Sequence, residues 1–356
     1  MNRNTVLTSA LAVCLVILAA SAALGVNRVI GFTGLRYSNA DRYSSGGTEI
    51  KKPVKSLDIH WTDGSVTIAY HAKDTVEISE TAPGKLSDKT SIHWWLDGTT
   101  LRIRHTRSGV VTRRSLKKAL TVTLPENSKY ELVEISATSA DVTVPALTAE
   151  SIDVNLSSGD LVLEQNGTAD TIELNSTSGE VDASLEKAKN VSVTSTSGTI
   201  SLAQSAKADK IRLNSSSGDI HADVENADEI EATSTSGEIR MSLKETDHAD
   251  ISSSSGRVDL EAESIGKTEI GNTSGGVTLK VSAFEDLQVS TTSGNVSATL
   301  PAKPGFQAKI STGSGSFDSS IALKQDGKHY SCGDESAKLE IKTTSGDIRL
   351  SEGHSK

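Results

Sequence analysis

The sequence predicts an all-β protein: a right-handed parallel β-helix, or solenoid, of about ten to eleven rungs of 19–20 residues. A small β module and an N-terminal transmembrane helix precede it. Three observations carry this. A Ser-Gly step recurs, with glycines at 159, 179, 198, 218, 237, 256, 275, 294, 315 and 346, spaced 20, 19, 20, 19, 19, 19, 19, 21 and 31 residues apart. Apolar residues alternate on both sides of each step. Only 3% of the 356 residues are aromatic and 35% are hydrophobic, which suits thin rungs that each close over a small core.

The first element is residues 1–28. Val6 to Val26 carry no charge and are preceded by Arg3. Such a run is long enough to cross ~30 Å of hydrocarbon, and the leading charge favours an inside start. The reading is a signal anchor. The alternative is a cleaved signal peptide ending at Ala20-Ser21-Ala22. The chain is then a single-pass protein of the cell membrane with its C-terminal domain extracellular, or a secreted one. Cys14 lies in the apolar run and Cys332 is the only other cysteine, so no disulfide is expected.

Residues 29–50 are polar and include Ser44-Ser45-Gly46-Gly47, which reads as a juxtamembrane linker. Residues 51–125 form a basic β module. Leu57, Ile59 and Trp61 alternate up to Asp63-Gly64, and Val66 and Ile68 follow; Ile92, Trp94 and Leu96 run to Asp97-Gly98, before Leu101 and Ile103. Each Asp-Gly predicts a hairpin turn. Charge divides the same way: +7 from Arg28 to Pro125 and −18 from Glu126 onward, against −10 for the whole chain.

Residues 126–351 form the solenoid. Five residues before the glycine stand Val154, Leu174, Val193, Leu213, Ala232 and Ile251, and two after it stand Leu161, Val181, Ile200, Ile220, Ile239 and Val258. Period-2 alternation means strand on each side. The change of parity puts a corner at Ser158-Gly159, Ser178-Gly179, Ser197-Gly198, Ser217-Gly218, Ser236-Gly237 and Ser255-Gly256. Glycine is expected there for the backbone angles of a corner. By parity the serine before it faces inward, and with the residue three before, from Ser176 to Thr343, it forms an internal hydroxyl ladder. These serines read as scaffold. Parallel crossovers are right-handed. The 31-residue gap before Gly346 predicts an extra loop around Cys332.

An N-terminal anchor, a Leu-Thr-Val-Thr-Leu-Pro strand at 120–125, and rungs such as Thr177-Ser178-Gly179-Glu180-Val181, Thr235-Ser236-Gly237-Glu238-Ile239 and Thr344-Ser345-Gly346-Asp347-Ile348 resemble the bacterial DUF4097 family over roughly residues 55–350. The resemblance implies a β-helical, adhesin-type surface protein, in some cases linked to envelope stress. It carries no catalytic residue.

No chemistry-bearing motif stands out. The eight histidines are scattered and form no metal-ligand spacing. No catalytic, cofactor-binding or metal site is expected, and an acidic solenoid repels nucleic acid. The carboxylates after glycine at Asp160, Glu180, Asp219 and Glu238 read as a solvated edge that blocks aggregation, or else as a Ca²⁺ ladder. The candidate ligand surface is the outward row Thr177, Thr196, Thr235, Thr273 and Thr292, suited to glycan; its mixing with Ser and Asn argues against ice. Trp94 and Trp95, on opposite faces of one strand, join it. The basic module is expected to be drawn to anionic lipid or wall polymer. These residues point to a surface scaffold for an envelope polymer, glycan or surface or membrane protein. The alternatives are an envelope-stress accessory docking to a membrane partner and a polysaccharide-active β-helix enzyme. Short uniform rungs argue against the enzyme.

Overall fold

A computed structural model describes residues 36–353, apart from Arg113, Ala302, Pro304 and Lys328. The apolar segment at 1–28 lies outside the described residues, and among those described no helix is long and apolar enough to cross a membrane. Among the described residues the fold is all-β, with one short 3₁₀ turn at Ala40–Arg42. The described residues fall into two compact units, one ending at Lys189 and one beginning at Asn190.

The first unit holds β1 (Ser44–Ser45), β2 (Thr48–Ile50), β3 (Ser56–His71), β4 (Val76–Thr81), β5 (His93–Asp97), β6 (Thr100–Arg104), β7 (Lys118–Pro125), β8 (Tyr130–Leu147), β9 (Ala149–Ser158) and β10 (Leu161–Ser176). Residues 44–50, expected to be linker, are strands: β1 pairs with β5 and β2 with β4. The hairpin at Asp97-Gly98 is present, with β5 antiparallel to β6. The one predicted at Asp63-Gly64 is not. Both halves of β3 run parallel to β8, Leu57 facing Val133 and Val66 facing Val142. Gly64, at φ +97°, is a rung corner, and a Cβ there would overlap the Lys118 carbonyl. An Asp-Gly step suits either role; the distant partner decides. β3 also pairs in parallel with β6 and β7. The first rung in sequence is therefore stacked between the second and the third.

The second unit begins within β11 (Val181–Ser195) and continues with β12 (Ile200–Gln204), β13 (Ala208–Ser215), β14 (Ile220–Ser234), β15 (Ile239–Ser253), β16 (Val258–Asn272), β17 (Val277–Thr291) and β18 (Val296–Leu300). β14 to β17 stack serially, in parallel and in register along their length. Inward columns such as Ile220, Ile239, Val258, Val277 and Val296 are fully buried, each side chain contributing about 1.5–3 kcal/mol. Then the order changes. β19 (Gly305–Ser314) and β20 (Phe317–Ser319) overshoot by one rung. β21 (Lys324–Asp326) and β22 (His329–Gly333) form an antiparallel hairpin, and β22 covers the edge of β19. β23 (Ala337–Ser345) and β24 (Ile348–Glu352) return to fill the slot, pairing with β17 and β18 on one side and β19 and β20 on the other. This accounts for the 31-residue gap. Cys332 lies buried in β22.

The corner differs from expectation in two ways. The serine before each glycine, Ser158 through Ser255 in the first six copies, is exposed. The chain turns over the two residues before the glycine, so alternation breaks earlier than parity counting assumes. Only the residue three before is inside. Ser176, Ser195, Ser215, Ser234 and Ser253 are buried. Ser176 and Ser253 each accept the N–H of the glycine three residues on and donate to its carbonyl at 3.0–3.2 Å. At Asn272 the amide does both across two rungs, accepting from Gly275 N–H at 2.7 Å and donating to the Gly256 carbonyl at 2.8 Å. The second difference is why glycine is needed. Among the repeat glycines only Gly159 and Gly346 have positive φ. At Gly179, Gly218, Gly237, Gly256, Gly275 and Gly294 a Cβ would overlap the carbonyl oxygen of the glycine one rung below. Close rung-to-rung approach excludes a side chain.

Candidate functional site

The corner that hides one hydroxyl column displays two. Thr196, Ser216, Thr235, Ser254, Thr273, Thr292 and Thr344 form one, and Ser197, Ser217, Ser236, Ser255, Ser274, Ser293 and Ser345 the other. Backbone bonds run rung to rung through the turn itself: Ser217 N–H to Thr196 O, Ser236 to Ser216, Ser255 to Thr235, Ser274 to Ser254, Ser293 to Thr273 and Ser345 to Thr292, at 2.9–3.1 Å. The residues that carry the hydroxyls are thereby spaced one rung apart, ~4.8 Å, as a ridge. Of the predicted row, Thr273 and Thr292 are exposed, and Thr196 and Thr235 are half-buried. Thr177 is exposed and belongs to the first unit. Serines expected in the interior are thus half of the displayed surface.

Beside the ridge, the outer face of β13 to β17 is charged. Lys210 pairs with Glu229 at 2.7 Å and Arg212 with Glu231 at 2.9 Å. Glu231, Asp250 and Glu269 then follow in register. A shallow groove of ≈ 200 Å³ lies among Glu229, Glu231, His248, Asp250, Lys267 and Glu269. Burial first, then Glu269 and Glu231, push the Asp250 carboxyl up. Of the carboxylates after the glycines, the two aspartates bond to backbone, and Glu238 pairs with Arg240 at 2.7 Å. Asp160 accepts from Glu180 N–H at 3.0 Å and Asp219 from Glu238 N–H at 2.8 Å. They clamp adjacent corners together. Among the described residues no set of three side chains is grouped to hold a metal ion.

The predicted aromatics sit elsewhere and are engaged. Trp94 donates its indole N–H to Gly46 O at 3.1 Å. Trp95 is flanked by the guanidinium groups of Arg42 and Arg102, 5.3 and 5.9 Å from its ring centre, and meets Tyr43 edge-on. Beneath them lies an ion pair that no sequence signal indicates, since its partners are far apart in the chain. Arg104, 5% exposed, holds both oxygens of Asp58 at 2.8 and 2.9 Å. Burial opposes ionisation of Asp58, but the Arg104 bond and charge, with His60 and Arg102, hold its carboxyl below the usual range. Nearby, fully buried Lys118 donates to Glu80 at 2.7 Å, to Thr90 O at 2.9 Å and to His105 O. His105 is held down to about 3 by burial first and by the Lys118 charge second, against the pull of Asp63. All three Lys118 donors are satisfied, so this cluster is a brace.

The profile of a family described as Toastrack DUF4097 matches residues 54–256 and 186–351. Solved structures with similarity include a "putative adhesin" from Parabacteroides merdae (11% identity, 90% of this chain and 99% of that one, TM-score 0.39). A "putative adhesin" from Bacteroides fragilis also matches (17%, 70% and 100%, 0.38), as does a "putative cell adhesion protein" from Clostridium sporogenes (12%, 87% and 100%, 0.20). No curated protein matches.

Proposed function

Because this chain belongs to the Toastrack DUF4097 family, we propose that it is an adhesin-like, non-enzymatic binding scaffold, held at the cell surface by its N-terminal apolar segment. Its ligand is an envelope polymer, glycan or surface protein that lies along the outward hydroxyl ridge. The observation that carries the reading is the register of that ridge: two columns of Ser and Thr side chains repeat with the rung, and their backbone is already bonded. Hydroxyls ordered in this way meet a repeating polar ligand without first losing conformational freedom, and regular repetition adds weak contacts into avidity. The test is binding of the full chain to an array of glycans and cell-wall polymers. Binding that grows with polymer length supports the reading. Silence on every polymer, with one membrane protein co-purifying in its place, replaces it with the accessory role. The Arg and Trp cluster around Trp95 favours that second reading.

A further inference from the structure

The chain enters the described structure against one loop. Tyr37 N–H donates to Ser108 Oγ at 3.1 Å, Ser108 Oγ donates back to Tyr37 O at 3.3 Å, and the Tyr37 hydroxyl donates to Thr106 O at 3.1 Å. The loop, residues 107–117 between β6 and β7, is also tied at its far end, where Leu116 N–H donates to the Asp63 carboxylate at 2.9 Å. Between these ties most of its described residues are exposed. Arg107, Arg114 and Lys117 are exposed, and the loop contains no acidic residue. Val111 is 50% exposed, the most of any large hydrophobic residue among those described. An exposed aliphatic side chain on a loop with exposed cations is the pairing that an anionic bilayer surface accepts: the apolar group enters the headgroup boundary and the cations meet phosphate.

Reach agrees with chemistry. Nine residues, 27–35, separate the end of the apolar run from Arg36. Fully extended, the chain from Val26 to Tyr37 spans no more than ~40 Å, so the clamp at Tyr37 keeps the base of the loop within that distance of wherever the run is held.

We propose that loop 107–117 is a membrane-contact loop that seats Val111 in an anionic bilayer surface, with Arg107, Arg114 and Lys117 against lipid phosphates. This rests on the anchored reading of the apolar segment. The experiment uses the full chain, carrying Cys14→Ser, Cys332→Ser and Val111→Cys with an environment-sensitive dye at 111, reconstituted into vesicles with or without phosphatidylglycerol. The expected result is apolar emission and quenching by brominated lipid only with phosphatidylglycerol. Arg107→Gln, Arg114→Gln and Lys117→Gln should reverse it, each weakening the preference for anionic lipid about fivefold. Water-like emission at 111 from a chain that still floats with anionic vesicles overturns the loop proposal and leaves the tether standing. A chain that does not float overturns both.

Discussion

Rungs β14 to β17 follow one another in chain order, whereas each unit also contains a rung stacked out of order. In the first unit β3 lies between β6–β7 and β8; in the second, β23–β24 lies between β17–β18 and β19–β20. The serial rungs need little beyond a glycine, an inner hydroxyl and an aliphatic column, because every rung offers the next the same surface. The displaced rungs accompany antiparallel strands that cover parallel edges, β5 on β6, β4 on β7 and β22 on β19. Covered edges do not recruit other chains. In the first unit that arrangement rests on buried charge, Lys118 with Glu80 and Arg104 with Asp58. Regular rungs thus depend on close approach, and this capped end depends on ion pairs.

That contrast breaks most sharply at glycine. Gly256→Val puts a side chain where the Gly237 carbonyl sits and is expected to cost more than about 4 kcal/mol or prevent folding. Gly276→Ala, whose new Cβ meets nothing nearer than 3.8 Å, should change stability by less than about 0.5 kcal/mol. Urea denaturation followed by circular dichroism reads both, and equal losses would contradict the packing argument.

Next is the brace. Lys118→Met leaves one oxygen of the buried Glu80 carboxylate and two carbonyls without their donor, for an expected loss of about 3–5 kcal/mol. The midpoint in guanidinium chloride measures it.

Much of this is legible in the sequence, and the misses are physical. Glycine spacing locates the rungs, and alternation locates the strands. The orientation of the corner serine is missed because parity counting assumes an unbroken strand, and the chain bends between Ser253 and Gly256. Gly346 carries the same motif as its neighbours, so nothing local announces that its rung is inserted one place early. The gap of 31 residues signals extra chain without its destination. Asp58 and Arg104 meet only because β3 and β6 share a register.

Acid should act first on the capped end. His105 binds its proton near pH 3 when folded, against an ordinary value of 6.5. Below pH 6.5 the unfolded chain therefore holds the extra proton, and stability falls as pH falls toward 3. Asp58, with its lowered carboxyl, adds its own loss only below about pH 3.8. His105→Gln should flatten the slope of unfolding free energy between pH 6 and 4; an unchanged slope would assign it to other groups.

The smallest effect separates the inner from the outer hydroxyl. Ser253→Ala orphans the Gly256 N–H and should cost about 1–2 kcal/mol. Ser255→Ala, on the ridge, should cost under about 0.5 kcal/mol. Thermal melts of the two variants compare them, and a reversed order would return the outer serine to the core.

On the proposed reading, the corner separates scaffold from binding surface. Its most direct test sets Ser253→Ala against the triple variant Thr235→Val, Thr273→Val, Thr292→Val, measuring affinity for the polymer the full chain retains and melting temperature in the same samples. The triple variant should lose binding with its melting temperature kept, while Ser253→Ala melts earlier and binds as before. A triple variant that binds like the unaltered chain would contradict it.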